Sequence, residues 1–300
     1  MNLPEDILEK YKRAGKIAGE VKMEMKNFVR EGMSVIEICE KAEKLVVEKG
    51  GKPAFPCNVS VNQVAAHYTS PPGDKSVIPS NSLVKVDIGA QIDGYIADTA
   101  VTVCFNQEYE NLVLAAEEAL KTGTQTIQAG ISTSRLGSAI QKTIKTYGCK
   151  AVSNLTGHQI GRYLIHTGKS LPNISHFIGS KIIEGEVVAI EPFVTVQGAA
   201  GRVEDTTEKT IFRFVRRKTI QSPHAQHLLD YIEKTFKTLP FSERWLRGVV
   251  PVEQYSPAFH ELLRMKCLSS YNVFVESSGK PVAQAEHTVI VVKKGCIILT

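Results

Sequence analysis

The chain lacks any C-x-x-C pair. Its six cysteines (Cys39, Cys57, Cys104, Cys149, Cys267, Cys296) are scattered along 300 residues, which argues against a zinc ribbon or a disulfide framework and suits a reducing cytoplasm. No apolar run approaches the roughly 18 to 20 residues that span a bilayer. The opening "MNLPEDILEKYKRAGKIAG" carries early acids instead of the basic, apolar, then small-residue order of a secretory signal. No tract of one charge stands out either. Lys and Arg number 36 against 31 Asp and Glu, a balance of +5 spread along the chain, so contact with a polyanion is permitted and not demanded. With 43% apolar residues, the chain can bury a full core in one large domain or two ordinary ones. Composition predicts a folded cytoplasmic protein with no membrane association, and a monomer is the default.

What is present is mostly periodic. From Pro4 to about Val29, apolar residues recur at helical spacing (Ile7, Leu8, Tyr11, Ala14, Ile17, Ala18, Val21), predicting a long first helix. A second is expected from Ser34, where "SVIE" has the form of a capping box with Glu37 reaching back, to the glycines of "KGG". "NLVLAAEEALKTGTQTIQ" and "GISTSRLGSAIQKTIKTYG" predict two more. The second and last of these four match each other: a serine follows a glycine by two residues, and Ser34 to Gly50 equals Ser132 to Gly148 in length. Downstream, "LVKVD" ending at Asp87 has a counterpart in "VVAIE" ending at Glu191. These parallels predict a duplicated helix–helix–strand unit with pseudo-twofold symmetry, each half delivering one acid near the axis.

From about Phe214 the texture changes. "SPHAQHLLDYIEKTF" offers Ser222 as cap and Pro223 as first helical residue, and "SPAFHELLRMKCL" repeats the device with Ser256 and Pro257. Residues 217–270 are therefore expected to form a helical insertion into a main domain of 1–216 and 271–300. After it, "YNVFVES" and "PVAQAEHTVIVV" return to strand.

The stretch "LVKVDIGAQIDGYIADTAVTV" reads as two strands around Asp93-Gly94, yet it holds Asp87 and Asp98 where apolar residues belong. A two-residue turn there sets Asp87 opposite Ala100 and makes Asp98 its diagonal neighbour on the same face. Two buried carboxylates repel each other, and only Lys85 shares their parity. Two readings follow: a divalent metal, or a pair of metals, compensates the charge, or Asp98 caps a turn while Asp87 faces water. Elsewhere, "LTGHQIGRYLIH" carries His158 and His166 among glycines (Gly157, Gly161) that permit close backbone approach. A lone histidine on such a segment is more often a hydrogen-bonded core residue than a ligand. Glu191 in "EVVAIEPFVTV" and Glu286 in "PVAQAEHTVIVV" sit in runs too apolar for solvated acids. Two Asp, two Glu and one His form a hard-oxygen set with one imidazole, suited to pairs of Mn, Fe(II), Co or Zn.

The motifs "VNQVAAHYTS", "VDIGAQIDGYIADTAVTV", "GHQIGRYLIH", "AIEPF" and "AQAEHTVIV" together resemble methionine aminopeptidases of the second type, in the short archaeal-like form, over nearly the whole chain. The resemblance implies the α+β pita-bread fold around a central antiparallel sheet, with the insertion that distinguishes that type. It implies that Asp87 binds one divalent ion, that His158 and Glu191 bind another, and that Asp98 and Glu286 bridge both. It places His67 facing the substrate near the scissile bond, His166 on the substrate carbonyl, and Phe55, Ile165, Phe193 and Tyr271 around a methionine side chain. The implied reaction is removal of the initiator methionine from nascent chains with a small second residue, by metal-bridged hydroxide attack, with Glu191 also moving the proton.

Two alternatives stand beside it. "GRVEDTTEKTI" holds Glu204, which resembles the last metal ligand of Xaa-Pro dipeptidases of the same fold; Glu286 is favoured because its strand follows the insertion. A non-catalytic relative that binds RNA would be expected to have lost ligands, whereas all five positions here keep acid or histidine. The group "RFVRRK" at 213–218 could touch ribosomal RNA in transient contact, although four charges make a weak footprint and a solvated face explains them as well.

Overall fold

A computed structural model describes residues 3–300. The alternation between 83 and 103 becomes a pair of ten-residue strands, Leu83–Ile92 and Tyr95–Cys104, with Asp87 opposite Ala100 and Gly89 opposite Asp98. Asp93 and Gly94 turn the chain with φ of 52° and 87°, the left-handed pair that a tight hairpin turn requires. Asn58–Val61 and Lys52–Pro53 extend this sheet along Leu83–Ile92.

Helices α1 (Glu5–Phe28) and α2 (Val35–Glu48) cover one face of that sheet. Ala14, Ile17, Val21 and Ile38 interlock there with Val86, Ile88 and Val101, as the helical spacing predicts. Helices α3 (Glu110–Thr126) and α4 (Thr133–Thr146) repeat the arrangement on a second sheet. Its order is Cys296–Ile298, His287–Val291, Val187–Ile190, Thr156–Ile160, Ser170–Pro172, antiparallel throughout. Ala115, Ala119, Leu136 and Ile140 pack there against Val188, Ile190 and Val289.

Backbone pairing makes the duplication explicit. Ser34 bridges Val77 and Ser132 bridges Lys181; Val35 donates to the Ser76 carbonyl and Thr133 to that of Ser180; Gly32 donates to Ile78 and Gly130 to Ile182. One constant offset relates the helix-side residues of the two sets. A second relates the strand-side residues, and it also carries Asp87 onto Glu191.

The expected capping box at Ser34 does not form. Ser132 accepts from the Arg135 N–H, but Ser34 makes no side-chain cap; the backbone pairing with Ser76 and Val77 holds that entry instead.

Residues 217–270 carry α5 (Pro223–Phe236), capped by Ser222 as expected, and α6 (Val252–Arg264). Here a second expectation fails. Ser256 is no cap, because α6 starts at Val252 with Pro251 before it and takes Pro257 into its interior, where the missing N–H forfeits one bond. Its first turn is largely exposed, so no apolar spacing marks it in the sequence. Leu228, Ile232, Phe241, Phe259 and Leu262 make a separate core that also takes in Phe212. Among the described residues no helix is long and apolar enough to cross a membrane.

Candidate metal centre and active site

The two halves meet along a seam. The Thr288 hydroxyl accepts from the Asp98 N–H at 2.7 Å and donates to the Asp98 carbonyl at 2.8 Å. The Glu286 N–H donates to the Ala100 carbonyl, and the Thr99 hydroxyl to that of Glu286. These bonds lock the hairpin against the strand His287–Val291. They set Asp98 and Glu286 side by side.

Into the same space the strand Thr156–Ile160 brings His158, whose Nε2 lies 3.5 Å from Asp98 and 3.3 Å from Glu191. Its neighbour Gly157 is required by contact: a Cβ there would overlap the Ala189 carbonyl of the adjacent strand. Glu191 follows Val187–Ile190 directly, and Asn173 donates to its carbonyl. Ligand atoms of Asp98, His158 and Glu286 all lie within 4.8 Å of one another, while Asp87 shares the hairpin face with Asp98 and accepts from Asn58 at 3.4 Å.

Burial sets the electrostatics. Removal from water, then the Asp98 charge, pushes the Asp87 carboxyl well above its ordinary range. Asp98 rises to about 7 through burial. Burial followed by the neighbouring carboxylates also pushes up Glu191 and Glu286, and burial pulls His158 down to about 4. Lys85 gives no relief: its ammonium is tied to the carbonyls of Asn62 and Val282. Oδ1 of Asp87, Oδ1 of Asp98 and Oε1 of Glu286 are sealed from solvent without a hydrogen-bond partner. Orphaned carboxylate oxygens around a neutral imidazole are the donor set that a hard divalent ion satisfies. The alternative of a turn cap and a solvated acid is excluded by this burial.

Beside the cluster opens a cavity of about 330 Å³ lined by Phe55, His67, Asp87, Asp98, His158, Ile165, His166, Glu191, Phe193 and Tyr271 among others. The four acids and one histidine of the expected ligand set and the six residues expected to meet the substrate are thus brought to one place, with Glu286 outside the cavity lining. His67 stacks within 4.7 Å of Phe274 and 5.6 Å of Tyr271, and its Nδ1 meets the Asn272 carbonyl at 3.3 Å, which fixes the proton on Nδ1. His158 and His166 pack edge to face at 4.3 Å. Desolvation within the cavity, then neighbouring imidazole charge, lowers His67 to about 4 and lowers His166 too, although His166 keeps an exposed face.

Glu204 lies elsewhere, exposed and paired with Arg202 at 2.9 Å. Arg217 of the basic group is engaged by Asp230 and Glu233. Sequence reasoning missed Asn58, Asn173 and Gln284, which steady Asp87, Glu191 and Glu286. Only Gln284, two residues before Glu286 in its own run, carried a local signal.

A model of metallopeptidase family M24 matches residues 9–210. The methionine aminopeptidase of Methanothermobacter thermautotrophicus is 43% identical over 297 residues, spanning 98% of this chain and 99% of its own. Among solved structures, a thermophilic Arx1 superposes with a TM-score of 0.81 at 21% identity, covering 99% of this chain and 91% of that one. A methionine aminopeptidase from Thermotoga maritima does so at 0.72 and 21%, covering 100% and 98%. At such identity these two bear on the fold, which is the pita-bread arrangement.

Proposed function

Since the chain belongs to metallopeptidase family M24, we propose that it removes the N-terminal methionine from peptides and nascent polypeptides with a small second residue. Two divalent ions would be held by Asp87, Asp98, His158, Glu191 and Glu286. The observation that carries the reading is the set of unpartnered carboxylate oxygens beside a partly apolar cavity, in a chain similar over 98% of its length to a methionine aminopeptidase. Such ions supply Lewis acidity and a nucleophile at neutral pH.

The side chains do the rest. Phe55, Ile165, Phe193 and Tyr271 receive an unbranched thioether, for which aromatic edges are favourable neighbours. A side chain shorter by one methylene loses about 1–3 kcal/mol there. His166, which lines the cavity beside His158, offers a ring N–H to the substrate carbonyl oxygen and strengthens its hold as negative charge develops. His67, with its proton held on Nδ1 toward Asn272, presents Nε2 as an acceptor for the substrate backbone. Glu191 has the raised proton affinity of a group that takes a proton from the attacking water and delivers it to the leaving amine. The segment 217–270 acts as a subdomain roofing the cavity through Pro240.

The test is peptide hydrolysis by chelator-stripped protein with manganese or cobalt restored, comparing Met-Gly-Xaa with Ala-Pro-Xaa. Metal-dependent release of methionine alone is expected. Cleavage before proline, or no cleavage of either, overturns the reading.

A further inference from the structure

His67 has φ of 66°, a left-handed conformation that a non-glycine residue keeps only where its surroundings impose it. The residues that follow it are held by a side chain from the segment 217–270. Arg244 is 6% exposed; its Nε donates to the Ser70 carbonyl at 2.6 Å and its Nη2 to the Thr69 hydroxyl at 3.0 Å. Its two Nη atoms also grip Glu43 of α2 at 2.9 and 2.8 Å. Glu43 in turn accepts the Cys57 N–H at 3.1 Å and the Trp245 indole N–H at 2.8 Å.

From this ion pair the bonds run to both walls of the cavity. The Thr69 hydroxyl donates to the Cys57 carbonyl at 2.7 Å, and Cys57 precedes the Asn58 that touches Asp87. The Thr69 N–H donates to the Thr210 hydroxyl at 3.2 Å, and that hydroxyl donates to the His67 carbonyl at 3.4 Å. All five guanidinium protons have a fixed direction, so the planar fork sets the orientation of the segment as well as its place. A lysine has no such fork.

We propose that Arg244, clamped on Glu43, is a positioning residue for His67: it holds residues 67–70 so that His67 faces the substrate, although Arg244 itself touches none. The inference rests on the methionine-releasing reading of the cavity. It makes the insertion part of the reaction geometry.

Arg244→Met alone strands a buried carboxylate and can fail to fold. The pair is therefore replaced together, Glu43→Leu with Arg244→Met, and Thr69→Val provides an independent break. With metal-loaded protein and a Met-Gly peptide, kcat should fall about tenfold to hundredfold, the scale of a misplaced group, while KM and metal content stay near wild type. In a His67→Ala background the same replacements should change kcat less than about twofold, because coupled residues do not add. Wild-type kcat in both variants, or an undiminished further loss in the His67→Ala background, overturns the proposal. Should wild type release no methionine, the functional reading fails on its own, and amide hydrogen exchange decides the clamp. Faster exchange at Thr69, with the 83–103 hairpin unchanged, supports it; unchanged exchange at Thr69 sinks it.

Discussion

The ring of Phe55 occupies the space that a side chain on Gly89 would fill. Because Gly89 stands opposite Asp98 in the hairpin, one strand pair both delivers an acid of the cluster and makes room for a wall of the cavity. Gly89→Ala should therefore shift Phe55 and raise KM for a methionyl peptide about tenfold, within the 1–3 kcal/mol range of overpacking. Metal-dependent stabilisation should survive. Steady-state kinetics beside melting curves with and without manganese would show it, and a lost metal response with KM intact would contradict it.

Asp98→Asn keeps size and removes a charge from the middle of the cluster. Turnover should drop by three orders of magnitude or more, on the order of 4 kcal/mol, and the rise in Tm with added metal should vanish with it. Both are read on one preparation. Turnover at the wild-type rate would refute the metal-centre assignment.

Stabilisation by added metal should depend on pH in a direction fixed by the cluster. Burial raises Asp98 from 3.8 to about 7, and Asp87, Glu191 and Glu286 also rise well above their ordinary values. The folded state thus holds protons that the unfolded chain has released, so this stabilisation is complete in acid and lost as pH rises through about 7. His67 and His158, lowered to about 4 from 6.5, work oppositely: their contribution is complete above 6.5 and lost as pH falls toward 4. Above neutrality Lys85 and Lys22, which burial lowers to about 7 and about 8 from 10.5, also oppose the carboxylates, because their contribution grows as pH rises. Those lysines act with or without metal, so the difference isolates the cluster: the gain in Tm on adding saturating manganese should grow between about pH 6 and about pH 8, since binding then has fewer protons to displace. A gain that shrinks with pH over that range would contradict the account.

Glu286→Gln and Glu204→Gln make a matched pair. The first removes a buried oxygen that lacks any partner and should cost about a thousandfold or more in metal-dependent hydrolysis, roughly 4 kcal/mol. The second touches an exposed acid paired with Arg202, worth at most about 1 kcal/mol to stability, and turnover should stay within about twofold. Equal loss in both would reopen the choice of ligand.

Local chemistry decided how much was legible in advance. The Asp93-Gly94 turn fixed the hairpin register, and the register fixed the common face of Asp87 and Asp98, because side chains in a strand alternate strictly. The halves could be overlaid because the spacing from Ser34 to Gly50 recurs from Ser132 to Gly148, although only Ser132 caps its helix with its side chain. Long-range pairing was not legible: nothing near Asn58 announces that its strand lies beside Asp87, and nothing in "SERWLRG" announces that Arg244 reaches Glu43. The start of α6 was hidden for another reason, since its exposed first turn carries no apolar spacing while Ser256-Pro257 imitates a cap.

The seam between the halves has a thermodynamic consequence. Asp87 and Asp98 come from one half, His158 and Glu191 from the other, and Glu286 from the chain just before the strand His287–Val291, so neither helix pair with its sheet owns the whole cluster. With these five as the proposed ligands, metal affinity would measure the docking of the halves, and a divalent ion would act as a cross-link that the unfolded chain cannot form. A small parting along Thr288 would then silence the centre before either helical core melts.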